Sequence, residues 1–232
     1  MNLAPEGYPF VSGLALMAMA TWIAAIAGFG GGVPPVIAAL FTALTIFNLW
    51  FFRDPKRLHP TGAGLVLAPA EGRVIDISEV AEPSFVGKAR KISIFLSIFD
   101  VHIQRAPVEG VVSHREYRPG AYKVAWADKA SEENEQASVG ITTEMGNVLV
   151  RQIAGLVARR IITYPSEGDR LERGQRIGLI RFGSRVDLFL PLDWEIICSV
   201  GDRTRVGSSV LARHPVEAVS YTHLTLPTIL LV

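Results

Sequence analysis

Near its carboxyl end the chain reads Leu179-Ile180-Arg181-Phe182-Gly183-Ser184-Arg185-Val186-Asp187. This is an apolar strand pattern that contains one Gly-Ser bond between two arginines. Because glycine has no Cβ, the Gly183 carbonyl can be strained and closely approached. Attack on it by Ser184 Oγ would turn the amide into an ester, and elimination and hydrolysis would then leave a pyruvoyl group. A Gly-Ser pair alone is more often a turn, so the rest of the chain decides between self-cleavage and a turn.

Composition restricts the classes of function. The chain has 232 residues and a net charge of +1, which gives no electrostatic case for a nucleic-acid partner. Its single cysteine, Cys198, excludes an internal disulfide and a cysteine-based metal cluster, and its apolar surroundings favour a buried structural thiol. The five histidines lack metal-ligand spacing, so no metal is expected. The length fits one domain of roughly 180 residues plus a membrane segment.

Two uncharged apolar runs, at residues 10–27 and 36–52, predict a transmembrane helical hairpin with a Gly/Pro-rich turn between them. Three cations follow the second run: Arg53, Lys56 and Arg57. The positive-inside bias then places the following domain, and the amino terminus with it, in the cytoplasm. A buried helical pair is the alternative. A cleaved signal peptide fits less well, because no Lys or Arg precedes the first run.

After residue 60 the chain changes to short Val- and Ile-rich runs separated by Gly and Pro. This spacing predicts a mainly β domain of sandwich or barrel type. The predicted strands are residues 65–67, 73–77, 91–96, 110–113, 148–153, 156–162, 176–182, 186–190 and 195–200.

An internal repeat refines this prediction. A Gly-Asp-Arg frame recurs at residues 168–178 and 201–210, and each copy predicts a strand–turn–strand corner. Residues 68–74 resemble another corner. Such corners suggest a β-hammerhead, barrel-sandwich-like domain, the architecture that biotinyl and lipoyl carriers also use.

The predicted organisation is a membrane hairpin at residues 1–52, a domain at 53–215 and a tail at 216–232. The tail fits neither pattern and resembles translated adapter sequence, so it is given no role. The charged segment at residues 127–136 predicts a solvated loop or short helix. Its Lys129 and Ser131 would also fit a Ser/Lys protease, an alternative that a plain charge run outweighs.

A candidate base follows the predicted strand at residues 91–96. On an extended segment Asp100 and His102 would point to the same face. A histidine is the natural group to take the Ser184 proton, and a carboxylate can orient its imidazole. Glu71 is a second candidate carboxylate. From spacing alone, a structural Asp–His pair explains Asp100 and His102 equally well, and an ordinary turn residue explains Glu71 better than a catalytic role does.

Together these features resemble the short-form phosphatidylserine decarboxylase proenzymes, a pyruvoyl-dependent family of bacterial membranes that includes an archaetidylserine type. The match covers about residues 5–214 in family order. Five motifs carry it: Phe51-Phe52-Arg53-Asp54-Pro55-Lys56-Arg57, Ala68-Pro69-Ala70-Glu71-Gly72-Arg73-Val74, Phe99-Asp100-Val101-His102 through Arg105-Ala106-Pro107, Lys129-Ala130-Ser131 through Asn134-Glu135, and Phe182-Gly183-Ser184-Arg185-Val186-Asp187. Most members have Asp-Gly where this chain has Glu71-Gly72, and long-form members carry a second histidine where it has Arg105.

The resemblance implies cleavage between Gly183 and Ser184 into a β chain, 1–183, and an α chain, 184–232. Ser184 would become the covalent pyruvoyl cofactor, and His102 would be the base. The implied reaction is decarboxylation of phosphatidylserine to phosphatidylethanolamine, with a diacylglycerol or an archaeol backbone on the lipid. The pyruvoyl carbonyl would react with the serine amine and take up electrons as carbon dioxide leaves.

The implied location is the bacterial inner membrane, with the catalytic domain on the cytoplasmic side. The implied partners are the lipid, the membrane and the two chains of one precursor, and a homo-oligomer is compatible with the sequence. The alternative function is a membrane-anchored, non-catalytic lipoyl-like carrier or adaptor. A carrier needs a modifiable lysine at a hairpin tip, and neither Gly-Asp-Arg corner contains one.

Overall fold

The computed structural model describes residues 2–82, 84–120, 134–155, 160–181 and 183–214. The predicted tail, together with Lys129 and Ser131, lies outside these residues. The helices are α1 (Tyr8–Ile26) and α2 (Val33–Phe51), preceded by a single 3₁₀ turn at Pro5–Gly7. The strands are β1 (Asn2–Leu3), β2 (Arg53–Asp54), β3 (Leu65–Leu67), β4 (Gly72–Glu82), β5 (Gly87–Leu96), β6 (Ile103–Arg105), β7 (Gly110–Arg118), β8 (Gln136–Thr143), β9 (Gly146–Ala154), β10 (Ile161–Thr163), β11 (Arg170–Leu171), β12 (Arg176–Ile180), β13 (Ser184–Pro191), β14 (Glu195–Ile196), β15 (Arg203–Thr204) and β16 (Val210–Arg213).

The two helices form the predicted hairpin. They pack against each other, and Trp22 Nε1 on α1 donates to Thr42 Oγ1 on α2 at 3.2 Å. Both are long and apolar enough to cross a membrane, and only 6% and 11% of their most apolar windows are buried. The alternative of a buried helical pair would require extensive burial. The helices instead present apolar surface outward, as a membrane hairpin does.

The rest of the described chain is β structure, which confirms the mainly β prediction. Eight antiparallel strands form a curled sheet in the order β11-β7-β8-β9-β13-β5-β4-β15. The other described strands form two three-stranded sheets, β10-β12-β6 and β14-β16-β3, and the two-stranded sheet β1-β2. Strand β13 lies in the middle of the large sheet and is buried on both faces from its first residue to Leu190. The chain after Gly183 is therefore fixed on both sides by the sheet.

The two Gly-Asp-Arg frames make equivalent corners. Val74 exchanges two backbone hydrogen bonds with residues 201–202, at 2.8 and 2.9 Å. Val112 exchanges the matching pair with residues 168–169, again at 2.8 and 2.9 Å. The predicted sequence repeat is therefore also a structural repeat, in which each frame is hydrogen-bonded to the start of a long strand of the large sheet, β4 or β7.

The two segments that pair with these frames also share a sequence pattern. Residues 68–74 and 106–112 both read Ala-Pro-x-Glu-Gly-x-Val. A Cβ on Gly72 would lie 2.1 Å from a backbone oxygen of the neighbouring strand, and one on Gly110 would lie 2.4 Å from another. Both positions need glycine because the strands cross at closer range than a side chain permits.

All nine predicted strand segments overlap strands of the structure. Some strands were not predicted, and the longest of these is β8. Its sequence, Gln-Ala-Ser-Val-Gly-Ile-Thr-Thr, is rich in small and polar residues and gives little hydrophobic signal. It is a strand because β7 and β9 pair with its two edges, and its first six residues are buried. Tertiary pairing here overrides local propensity.

The apolar pattern suggested that the Gly183-Ser184 bond lies inside a strand, but in the structure it lies between two strands. Strand β12 ends at Ile180 and β13 begins at Ser184. Between them Gly183 has φ +66°, in the left-handed region that glycine adopts readily and other residues rarely. This bend carries the chain from a three-stranded sheet into the large one, so the peptide beside Ser184 lies at a junction.

Packing crosses the predicted boundary between residues 52 and 53. Phe51 and Phe52 are each 1% exposed and belong to one cluster with residues of the β domain: Val101, Ile103, Leu179 and Val206. Arg105 on β6 donates to Asp54 at 2.6 Å and so ties the segment after α2 to the domain. The end of the hairpin is therefore part of the domain core, and removal of residues 1–52 would open that core.

Phe52→Ala tests this shared core. The substitution removes a buried ring that stacks on Phe10 with centroids 5.6 Å apart, and it should cost about 3–5 kcal/mol of unfolding free energy. The measurement is thermal unfolding of the full chain in detergent. Ile46→Ala, on the exposed side of α2, is the matched control and should barely move the transition. Equal shifts for the two variants would show that the hairpin end is not part of the domain core.

Candidate active site

Ser184 is the first residue of β13, between Leu96 on β5 and Ala154 on β9. Its side chain is 0% exposed, and its Oγ has no hydrogen-bond partner among the described residues. A buried hydroxyl without a partner costs free energy, so its presence needs an explanation other than stability. A reactive role supplies one.

His102, directly before β6, is fully buried, and both of its ring nitrogens are engaged. Its Nδ1 lies 2.9 Å from the backbone oxygen of Asp100, and its Nε2 lies 3.2 Å from the backbone nitrogen of Gly183. A carbonyl only accepts and an amide N–H only donates, so Nδ1 carries the proton and Nε2 presents a lone pair. In this structure that lone pair accepts the N–H of Gly183, the residue whose carbonyl precedes Ser184.

Burial lowers the pKa of His102 from 6.5 to about 4; the hydrogen bond and charge of Asp100 oppose this shift and the charge of Arg53 adds to it. Phe51, at the end of α2, forms one wall of this environment, with its ring centroid 4.3 Å from the imidazole. The ring is therefore neutral at pH 7 and able to accept a proton.

Asp100 lies beside His102, but its carboxylate does not orient the imidazole as the spacing predicted. Oδ2 accepts from the nitrogen and the hydroxyl of Ser97, at 2.8 and 2.7 Å, and Oδ1 accepts from Arg203 at 3.1 Å. The two side chains diverge because Asp100 closes a turn before the strand begins, so the alternation of a regular strand does not apply. The backbone carbonyl of Asp100 orients the ring instead.

Glu71 is also placed differently from the prediction. Its carboxylate pairs with Arg57 and lies 4.0 Å from Arg53, and no described hydrogen bond joins it to His102. Arg53 donates in turn to the backbone oxygen of Phe99 at 2.7 Å. Glu71 is therefore linked to the loop before His102 through Arg53. Among the described residues, no hydrogen bond joins Glu71 to His102.

Sequence reasoning missed a buried chain of hydrogen-bonded polar side chains next to His102. Gln104 donates to the His102 oxygen at 2.8 Å, Gln152 donates to Gln104 at 2.9 Å, and Thr163 donates to Gln152 at 2.8 Å. The chain fixes the backbone of His102 against two further strands. The sequence signal for this chain was Gln104, a polar residue two positions after His102 in the motif that begins at Phe99.

The fourth family motif reaches the same region. Asn134 is buried and donates to the backbone oxygen of Ala154 at 2.7 Å, and Ala154 pairs with Ser184. The Lys129 and Ser131 positions of this motif lie outside the described residues. Together, the left-handed bend, the unpartnered hydroxyl and the neutral imidazole form an arrangement suited to attack by a serine that a general base activates.

Comparison with known proteins shows which family this chain resembles. A family model described as phosphatidylserine decarboxylase matches residues 44–212, more than half of the chain. A curated relative from Symbiobacterium thermophilum, called phosphatidylserine decarboxylase proenzyme, is 50% identical over 92% of this chain and 96% of its own length. Proteins with the same name are 46% identical in Paraburkholderia phymatum, over 90% of this chain and 96% of that protein, and 45% identical in Burkholderia mallei, over 92% and 95%.

The titration of His102 tests the geometry without any assay of activity. In the full chain with Ser184→Ala, NMR of the imidazole should give a pKa near 4, because burial disfavours the charged ring. Phe51→Ala should admit water and raise this pKa toward 6.5, whereas Leu49→Ala, on the exposed side of α2, should leave it unchanged. An ordinary pKa in the parent chain, or one that Phe51→Ala does not move, would contradict this description of the site.

Proposed function

We propose, because the chain belongs to the phosphatidylserine decarboxylase family of pyruvoyl-dependent carboxy-lyases, that it is a self-cleaving proenzyme that converts phosphatidylserine to phosphatidylethanolamine. The observation that carries the proposal is the buried Oγ of Ser184, which has no hydrogen-bond partner among the described residues and directly follows the Gly183 bend, whose N–H donates to His102 Nε2. Membership of an enzyme family decides against the carrier or adaptor alternative.

In the proposed first step, the Gly183 N–H gives up its hydrogen bond to His102 Nε2, and Nε2 then takes the proton of Ser184 Oγ as that oxygen attacks the Gly183 carbonyl carbon. The proton then passes to the Ser184 nitrogen, so the amide becomes an ester with a free amine. A base then removes the Ser184 α-proton, and the Cβ–Oγ bond of Ser184 breaks, so that Gly183 leaves as a carboxylate at the end of residues 1–183. The remaining dehydroalanine is hydrolysed to a pyruvoyl group, and its nitrogen leaves as ammonia.

The position of Ser184 fits a group made from serine, since the sheet holds the residue in place after the chain is cut. Strand β13 stays paired with β5 and β9, and Arg185 forms a buried ion pair with Asp187 at 2.6 Å. The group supplies a carbonyl that reacts with an amine and takes up electrons when carbon dioxide leaves. The role of the chain is to exclude water from this end of β13 and to keep a neutral imidazole beside it.

The proposed setting is the bacterial inner membrane. The two apolar helices would span the bilayer, and the cations after α2 would place the catalytic domain on the cytoplasmic side. Because the ring of Phe51 touches His102, the membrane anchor and the reacting groups are neighbours. A lipid in the cytoplasmic leaflet would then reach the site with little displacement of its acyl chains.

Ser184→Ala, compared with Ser208→Ala, tests the cleavage site. Gly207-Ser208 is the other Gly-Ser pair in the chain, so it controls for any effect of losing a hydroxyl after glycine. Ser184→Ala should abolish both chain cleavage and carbon dioxide release from phosphatidylserine, because nucleophile and cofactor come from one residue. Ser208→Ala should retain both. Retention in Ser184→Ala with loss in Ser208→Ala would move the site to the second pair.

His102→Ala tests the base. Loss of a general base should slow chain cleavage by about a hundredfold or more, leaving uncut proenzyme on a gel. His114→Ala removes a different imidazole, one that stacks on Phe85, and should cleave normally. Cleavage of His102→Ala at the normal rate would place the base elsewhere and make Glu71 and Asp100 the next candidates.

A further inference from the structure

The turn at residues 97–100, which joins β5 to His102, exposes apolar side chains at its tip. Ile98 is 39% exposed and Phe99 is 64% exposed. Turn tips usually carry polar residues or glycine. The exposure is not fraying, because the Asp100 carboxylate accepts two hydrogen bonds from Ser97 and the Asp100 nitrogen donates to the Ser97 oxygen at 3.0 Å. The turn is therefore a fixed structure that presents two apolar side chains to its surroundings.

The 97–100 turn is held directly against the end of the second membrane helix. The guanidinium of Arg53 donates to the backbone oxygen of Phe99 at 2.7 Å and to that of Trp50 at 2.8 Å, and it lies 4.2 Å from the centre of the Trp50 ring. Trp50 is exposed on the last turn of α2. Exposed tryptophan at the end of a membrane helix marks the level of the lipid headgroups.

A cation stands beside the same turn. Arg203 pairs with Asp100 at 3.1 Å, while 67% of its side chain remains exposed. Apolar tips next to an exposed cation match the boundary between acyl chains and anionic headgroups. The partner of this surface is the bilayer, because Arg53 joins the turn to the end of α2, the helix that would enter the membrane.

We propose that the 97–100 turn inserts Ile98 and Phe99 into the headgroup–acyl boundary of the bilayer that the hairpin spans. The inference rests on the proposed function and deepens it, since Leu96, the residue before the turn, pairs with Ser184. Insertion of the turn seats the Ser184 end of the large sheet on the lipid surface. The serine headgroup then approaches the site from the membrane plane.

The location of the turn is measured first. In a Cys198→Ser background, Phe99→Cys is labelled with an environment-sensitive dye, and the full chain is reconstituted in phosphatidylcholine/phosphatidylserine vesicles. Met145→Cys is the control, because Met145 lies in the β8–β9 turn, about 30 Å along β9 from Ala154, the partner of Ser184. We expect blue-shifted emission and quenching by nitroxide-labelled lipid at position 99 and neither at position 145. An aqueous signal at position 99 in vesicles that retain the protein after a carbonate wash, or equal signals at both positions, overturns the proposal.

The consequence for catalysis is measured second. Phe99→Asp should leave chain cleavage intact and lower the rate on vesicle phosphatidylserine by about tenfold, with little change on a soluble short-chain phosphatidylserine. Met145→Asp should change neither rate. Equal losses on both substrates overturn the inference, because they would reflect damage to the site itself. A lipid-embedded dye at position 99 in a chain that never cleaves would support the docking surface and defeat the proposed function, so the two failures are distinguishable.

Discussion

The structure depends on one buried imidazole held at both nitrogens. Asp100 accepts from Nδ1 through its backbone oxygen, and Nε2 accepts from the backbone N–H of Gly183. These two contacts fix the tautomer and join the loop before β6 to the bend before β13. Burial then keeps His102 neutral, with a pKa near 4. Two backbone groups therefore position the ring, and among the described residues no carboxylate is hydrogen-bonded to it.

The helical hairpin takes part in this arrangement. Phe51 lies against the imidazole and lies in the same cluster as residues of the β domain. On the other side Arg176 of β12 donates to Glu6 at 2.7 Å, and Tyr164 donates to the same carboxylate. Both ends of the hairpin are therefore fixed to the strands that lead to Ser184. A change in the depth or angle of the hairpin would reach the site through these contacts.

Much of the fold follows from local pattern. Apolar run lengths placed both helices, and glycine spacing placed the repeated corners, because these signals come from neighbours in sequence. What failed depended on distant contacts. Strand β8 carries little hydrophobic signal and exists through pairing on both sides. The carboxylates of Asp100 and Glu71 turn toward arginines that approach from other parts of the chain, which spacing along one segment cannot reveal. Gly183 bends rather than continuing a strand, since its φ is positive.

The central claim is that the residue at the start of β13 is both nucleophile and precursor of the reactive carbonyl. Intact-mass measurement of the purified full-length protein tests this most directly. The account predicts two chains that separate under denaturing conditions, a large one ending at Gly183 and a small one beginning at residue 184. The small chain should be lighter, by one ammonia, than the same chain beginning with serine. A single uncut chain, or a small chain that begins with an unmodified serine, would contradict the account.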